Sequence, residues 1–207
     1  MKRESLTGTL LPVAMAIVLW YFAFAVDYGN FWVKISLSAA CLAVYSLVME
    51  FDYFRKNVRL STGDIAWGLV SAAALYGVFY FGNLISNLLF PFAAGQVSSI
   101  YGKGAGNSGW MIALALICIT GPSEEIFWRG FLQRRLTPRL GKIGGYALAT
   151  AFYTGVHISS MNFMLTGAAA VAGAFWGLMY LLHPRLGAVI LSHAVWSSVI
   201  FALFPIR

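Results

Sequence analysis

The sequence predicts an all-α fold: a polytopic membrane bundle of about seven transmembrane helices. Two observations predict it. Of the 207 residues, 60% are hydrophobic and only 10% are charged, whereas soluble domains have about 45–50% apolar and about 25% charged residues. The apolar residues also form stretches long enough to cross a bilayer, which takes about 20 residues of helix. These observations exclude a water-soluble domain.

Seven stretches qualify, or nearly qualify, as spans. The first follows Met1-Lys2-Arg3, and we interpret it as an uncleaved span because no small-x-small cleavage site follows it. The third is long enough to tilt, or to break near Gly82-Asn83 or at Pro91. The seven are residues 8–26, 31–50, 65–92, 109–133, 143–160, 162–182 and 186–205.

Lysine and arginine predict the orientation of the spans. With the N-terminus in the cytoplasm and the C-terminus outside, most of these cations flank the cytoplasmic ends of spans, as the positive-inside rule requires. Only Lys34, Lys103 and Arg207 fall outside, and Arg129 lies just within its helix. The net charge of +7 therefore indicates topology and predicts no nucleic-acid partner. The cytoplasmic set is Lys2, Arg3, Arg55, Lys56, Arg59, Arg134, Arg135, Arg139, Lys142 and Arg185.

Several residues are predicted to have packing roles only. Gly173 and Gly177, extended by Ala169, form a Gly-x-x-x-Gly face typical of closely packed membrane helices. Cys41 and Cys118 are predicted to be small buried side chains, not a disulfide or a metal pair. The many Phe, Trp and Tyr residues are predicted to face lipid or the interface, without chemistry.

Ionisable residues inside the spans are the candidates for function, because each costs roughly 2.5–3.5 kcal/mol at mid-membrane. Glu124, Glu125 and Arg129 lie in the fourth stretch, His157 in the fifth and His193 in the seventh. Counted from the nearest cytoplasmic charges at about 1.5 Å per residue, both histidines and the first glutamate can reach the middle of the bilayer. The sequence therefore predicts one intramembrane site.

The local sequence of the fourth stretch separates the two glutamates. Gly121-Pro122 predicts an interruption, with the proline at a first helical position and the glutamates in a first turn, where the helix dipole favours negative charge. Ser123 or Gly121 can cap this new start. Glu125 and Arg129 are four residues apart and can pair along one face.

Glu124 is rotated about 100° from its neighbour, so we predict that it faces a cavity. A carboxylate removed from water can act as a base near neutral pH and take a proton from water. One of His157 and His193 can share that proton, and the other can donate a hydrogen bond to an oxyanion. Ser197, four residues after His193, is a second candidate donor.

Three motifs resemble those of the CPBP family, the CAAX prenyl proteases and bacteriocin-processing proteins. They follow the family's order on consecutive spans. The resemblance covers residues 109–205, which we predict to be the protease core, whereas residues 1–108 are predicted to be transmembrane helices without a recognised motif. The motifs are Glu124-Glu125-x-x-x-Arg129 followed by Gly130, Tyr153-x-x-x-His157 in place of Phe-x-x-x-His, and His193-x-x-x-Ser197 in place of His-x-x-x-Asn or Asp.

The resemblance implies a glutamic-type intramembrane protease, similar to the type 2 CAAX prenyl protease and its prokaryotic relatives. Glu124 would activate water with His157 sharing it, and His193 would stabilise the oxyanion. The resemblance also implies that Glu125 and Arg129 hold the helix in place. Ser197 stands at the Asn position, and its hydroxyl is a weaker donor than an amide. Asn162 is a candidate to supply the missing amide instead.

The resemblance further implies the partners and the location. The substrate would be a peptide or a membrane protein, and the chain would lie in a prokaryotic plasma (inner) membrane. No cofactor is expected, although two histidines and a glutamate can bind zinc. The sequence does not indicate an oligomeric state.

Other functions remain open at this stage. A non-catalytic membrane partner, such as a bacteriocin-immunity factor or a scaffold, is the main alternative, and Ser197 slightly favours it. A transporter is less favoured because no paired half-helices occur in two repeats. No His-Glu-x-x-His motif of zinc proteases is present. Gly106-Asn107-Ser108-Gly109 resembles the rhomboid serine motif, but we interpret it as a turn.

Overall fold

The structure is a helical bundle, as the sequence predicts. The computed structural model describes residues 7–206, within which no strand occurs. The α-helices are α1 (Thr7–Ala25), α2 (Phe31–Met49), α3 (Phe51–Asn57), α4 (Thr62–Leu89), α5 (Ala93–Gly102), α6 (Gly109–Ala115), α7 (Gly121–Glu125), α8 (Arg134–His157), α9 (Phe163–Leu182) and α10 (Leu186–Ser198). Three π-helical segments (Leu116–Thr120, Ile126–Gln133 and Val199–Leu203) and a 3-10 turn (Ile158–Ser160) join or extend them.

The chain is an integral membrane protein. Six helical segments of the described chain are long and apolar enough to cross a membrane. One of them, Gly109–Ser160, contains two of the predicted spans, and the backbone leaves helical geometry inside it at Gly141, where φ is +75°. The chain folds back there, because a Cβ on Gly145 would lie 2.7 Å from the backbone nitrogen of Thr137. The number seven stays a prediction.

Charged residues gather at the two ends of the bundle. At one end, Arg134 and Arg135 form ion pairs with Glu50, and Arg185 pairs with Asp64 at 2.7 Å. The opposite end carries Lys34, Lys103 and the Asn30–Asn107 hydrogen bond. This segregation is consistent with the predicted orientation, which stays a prediction. Lys2, Arg3 and Arg207 lie outside the described residues.

The third predicted stretch is one helix that ends before its last residues. α4 runs without interruption through Gly82 and ends at Leu89, before Pro91. The break at Pro91 is therefore confirmed and the break near Gly82-Asn83 is wrong, since a proline removes a backbone donor whereas a glycine within a helix only weakens it.

The predicted interruption at Gly121-Pro122 is wrong. The backbone stays helical from Thr120 through Ile126, and a π turn precedes the proline, in which the N–H of Gly121 donates to the carbonyl of Leu116. A π turn absorbs the missing donor and the steric demand of a proline without ending the helix. The two glutamates consequently do not lie at a helix start, and the dipole argument does not apply to them.

The Gly-x-x-x-Gly face packs closely, as predicted. A Cβ on Gly173 would lie 2.7 Å from the ring of Tyr153, and one on Gly177 would lie 3.0 Å from the ring of Tyr146. Both ring-bearing residues belong to α8, so the glycines bring α8 and α9 together.

The predicted burial of the cysteines is wrong. Cys41 and Cys118 are both free and exposed at the bundle surface, which in a bilayer is the lipid-facing surface. A thiol is small and apolar enough to face hydrocarbon as readily as protein, so apolar sequence context alone does not determine which side it faces.

Candidate active site

The predicted polar residues of the second half meet at one cavity inside the bundle. Glu124 of α7, His157 of α8, and His193 and Ser197 of α10 line a cavity of about 100 Å³. The four side chains are at least nine-tenths buried. Three helices that are distant in sequence thus present their ionisable groups to the same space.

A close backbone approach between α7 and α10 makes this convergence possible. A Cβ on Gly121 would lie 2.8 Å from the Cα of Ala194. Because no side chain separates the helices at this point, Glu125 comes within hydrogen-bonding distance of His193, which precedes Ala194.

Glu125 is the fully buried centre of an ion-paired network. Its Oε1 accepts a hydrogen bond from Nη1 of Arg129 at 2.7 Å, the predicted i,i+4 pair. The same oxygen lies 2.7 Å from Nδ1 of His193, a contact that the spacing did not predict. Arg129 also donates through Nη2 to the carbonyl of Gly173 at 2.9 Å, which ties the network to α9.

Glu124 has a different environment although it is the adjacent residue. Its Oε2 is buried and has no hydrogen-bond partner among the described residues. The hydroxyl of Tyr153 faces this carboxylate and can donate to it. An unpartnered buried oxygen at a cavity is the place where a water or a substrate group can bind.

The hydrogen bonds of His157 define its tautomer. Nδ1 lies 2.7 Å from the carbonyl of Tyr153, which can only accept, so Nδ1 carries the proton. Nε2 then has the lone pair, and Nε1 of Trp20 donates to it at 3.4 Å. Trp20 belongs to α1, in the half of the chain that carries no motif.

His193 lies between a carboxylate and an aromatic face. Its ring stacks on Trp176 with centroids 3.8 Å apart and an interplanar angle of 15°. Trp176 is itself fixed, because its Nε1 donates to Oγ of Ser192 at 3.2 Å. With Nδ1 directed at Glu125, Nε2 is the nitrogen left for a substrate.

The two candidate amide or hydroxyl donors differ in position. Ser197 lines the cavity, but its Oγ donates to the carbonyl of Ala194 at 3.3 Å, within its own helix. Asn162 does not line the cavity; it caps α9 and donates to the carbonyl of Gln96 at 3.0 Å. The suggestion that Asn162 replaces the missing amide is therefore wrong.

Aromatic residues are the part of the site that sequence reasoning missed. Trp20 and Trp176 are fully buried and touch the two histidines, so the prediction that aromatic residues mostly face lipid is wrong for them. Nothing in their sequence context separates them from lipid-facing tryptophans. Tyr153 did carry a signal, since it occupies the aromatic position of the second motif.

A larger apolar groove of about 310 Å³ adjoins the cavity. It lies between α4, α5, α9 and the end of α10. The groove and the cavity share the lining residues Ile100, Leu165, Ala168, Trp196 and Phe201. An apolar chain could therefore extend from the groove to the polar residues without leaving the bundle.

The rhomboid-like serine motif and a possible metal site are the two other candidates. Ser108 is exposed at the start of α6, after a turn in which Gly106 has a φ of +76°, so the turn interpretation is confirmed. Within residues 7–206, no group of three or more His, Cys, Asp or Glu side chains is placed to hold a metal ion.

A comparison with protein families agrees with the three motifs. Residues 105–199 match the family model described as type II CAAX prenyl endopeptidase Rce1-like. The match contains all six predicted site residues and confirms the resemblance to the CAAX protease and bacteriocin-processing family. It supports a membrane protease of the CAAX type, acting on peptide or protein substrates. No curated protein and no solved structure matches the chain.

Proposed function

From the Rce1-like match of residues 105–199, we propose that the chain is an intramembrane endopeptidase in which Glu124 activates the hydrolytic water. One observation chiefly supports this proposal: the buried Oε2 of Glu124 has no partner and belongs to a cavity that also contains both intramembrane histidines. A buried carboxylate oxygen without a partner is costly, and catalysis is a function that accounts for the cost.

The first step is attack by water on the scissile carbonyl. Glu124 accepts one proton of the water, while Nε2 of His157 accepts a hydrogen bond from the other. The hydroxide oxygen bonds to the carbonyl carbon, and the carbonyl π electrons move to the oxygen. General-base assistance of this kind contributes about 10²–10⁴-fold to a rate.

The second step is stabilisation of the oxyanion by His193. Glu125 accepts from Arg129 and is therefore a carboxylate, so the proton shared with His193 lies on Nδ1. Donation from Nε2 then requires an imidazolium, and both the Glu125 charge and the Trp176 face stabilise that cation. We assign the oxyanion to this group because the Ser197 hydroxyl is engaged by its own helix.

The third step is collapse of the tetrahedral intermediate. The C–N bond breaks, and Glu124 returns its proton to the leaving nitrogen, which gives a free amine and a new carboxylic acid that still carries the second proton of the water. Glu125 and Arg129 are positioning residues in this scheme. No step needs a metal, so we expect cleavage to persist after treatment with a chelator such as EDTA or 1,10-phenanthroline.

The test is cleavage of peptide and membrane-protein substrates by the purified full chain in lipid. Glu124→Gln keeps the shape of the side chain but removes the base, so we expect cleavage to fall by about 10²–10⁴-fold. Ser108→Ala is the matched control for a rhomboid-type mechanism and should cleave at the wild-type rate. Equal cleavage by wild type and Glu124→Gln would defeat the role of Glu124, and no cleavage by either would favour a non-catalytic membrane partner.

A further inference from the structure

α1 lies outside the segment matched by the family model, yet it packs directly against the candidate active site. Trp20 and Phe24, one helical turn apart, place their ring centroids 6.1 Å and 5.8 Å from that of His157. Trp20 has no exposed surface and is not among the residues that line the cavity. It therefore approaches Nε2 of the histidine from outside the cavity.

The chemistry of the two hydrogen bonds to His157 is complementary. The Tyr153 carbonyl can only accept and the Trp20 indole can only donate. Together they require the proton on Nδ1 and a lone pair on Nε2. Nε2 is thus kept in the form that can accept a hydrogen bond from water, and the ring plane is held from both sides.

We propose that Trp20 is a positioning residue of the active site, because its indole N–H holds the His157 ring and its Nε2 lone pair in one orientation. This inference rests on the proposed hydrolytic function. It makes α1 a part of the catalytic unit, although no motif marks it.

The length of the indole bond is consistent with this role. At 3.4 Å between Nε1 and Nε2, it is longer than the about 2.9–3.0 Å typical of N–H donors. A weak bond orients the lone pair but yields to a water held by Glu124. A short bond would sequester the lone pair and oppose catalysis.

Other aromatic residues pack around the indole. Trp20 meets Trp128 edge to face with centroids 6.0 Å apart, and Trp128 meets Tyr153 in the same way at 5.3 Å. Trp128 provides a matched control, because it is equally buried while its own Nε1 has no partner among the described residues.

The experiment compares Trp20→Phe with Trp128→Phe in the full chain in lipid. We expect Trp20→Phe to lower kcat by about ten- to a hundredfold, the cost typical of losing a group that orients a functional histidine, with KM within about twofold. Trp128→Phe removes the same ring area but no bond to His157, so it should retain most of the wild-type kcat. Replacement of Trp20 by benzothienylalanine, which keeps the shape and lacks the N–H, should reproduce the loss even if Trp20→Phe fails to fold.

Nitrogen-15 NMR of labelled histidine provides a readout that does not depend on cleavage. The chain has three histidines, and the His157 signals are identified by their loss in His157→Gln. We expect the Nδ1–H tautomer, which the Tyr153 carbonyl fixes, in every variant. The Nε2 chemical shift should be the same in the wild type and in Trp128→Phe, and it should change when the indole N–H is absent.

An unchanged Nε2 chemical shift on loss of the indole N–H, or a kcat loss no larger than that of Trp128→Phe, would overturn the proposal. A kcat that rises without the N–H would also overturn it, since the indole would then compete with the water. If the wild type cleaves no substrate, the hydrolytic function fails, and the Nε2 chemical shift alone decides whether Trp20 positions His157.

Discussion

Glu124 and Glu125 are adjacent in the chain and both buried, but the two sides of the site that they occupy differ. The Glu125 side is a closed network, in which one oxygen faces both the Arg129 guanidinium and the His193 ring at 2.7 Å. The Glu124 side is open to a cavity, and the outer oxygen of the carboxylate has no partner.

The difference shows how a rotation of about 100° between adjacent residues of a helix can separate support from reactivity. A buried charge is tolerated when hydrogen bonds and an opposite charge replace its water, and it is costly when they do not. Oε1 of Glu125 meets that requirement and holds His193 in place. Oε2 of Glu125 also has no hydrogen-bond partner among the described residues, but Glu125 does not line the cavity. The Glu124 side does not meet the requirement, which leaves its carboxylate able to bind a water and take its proton.

Removal of the arginine breaks the closed side and has the largest expected effect on stability. Arg129→Met keeps the length of the side chain but leaves Glu125 charged and the Gly173 carbonyl without its donor. Breaking a buried ion pair costs about 3–5 kcal/mol, so we expect the free energy of unfolding in mixed micelles to fall by about that amount, with loss of cleavage.

Two variants make the comparison with the open side quantitative. Glu124→Gln should change the free energy of unfolding by less than about 1 kcal/mol, because the Oε2 position loses no hydrogen bond. The double variant Arg129→Met, Glu125→Gln should be more stable than Arg129→Met alone, since no buried charge is stranded. Equal stability of Arg129→Met and the wild type would contradict a structural role for the network.

A variant in the apolar groove tests whether substrate binding extends from the cavity beside Glu124 into the groove. A side chain on Gly167 would enter the groove, because no atom lies within 4 Å of its Cβ position. If substrate side chains occupy the groove, Gly167→Phe should raise KM about tenfold, the scale of discrimination in a hydrophobic pocket, with kcat unchanged. Gly77→Phe is the control, since its Cβ position is also open but lies outside the groove. An equal KM in the two variants would separate the groove from substrate binding.

The features that could be predicted from the sequence are those set by local spacing or by the cost of charge in a membrane. The Glu125–Arg129 pair follows from i,i+4 geometry, and the close α8–α9 packing follows from Gly173 and Gly177. The convergence of Glu124 with the histidines was predicted because buried ionisable groups need a common reason to be there.

The features that could not be predicted depend on three-dimensional context. Pro122 predicts a helix start by propensity, but a preceding π turn lets the helix continue, and no local signal distinguishes the two outcomes. Trp20 is one aromatic residue among many apolar ones, and only the packing of α1 against α8 brings it to His157. The link between His193 and Glu125 depends on the approach of two helices at Gly121.

The smallest expected effect is that of a change at Ser197. This residue lines the cavity on the open side, but its hydroxyl bonds within its own helix. Its Oγ donates to the Ala194 carbonyl, so Ser197→Ala should lower kcat by no more than about threefold, far below the about 10²–10³-fold cost of a missing oxyanion donor.

Ser198→Ala is the neighbouring control, because Ser198 does not line the cavity and its Oγ lies 3.2 Å from the Ala113 carbonyl of another helix. That variant should lose stability and keep its kcat. A hundredfold loss in Ser197→Ala alone would instead show that the hydroxyl turns toward the oxyanion in the transition state, and the open side would then have two donors rather than one.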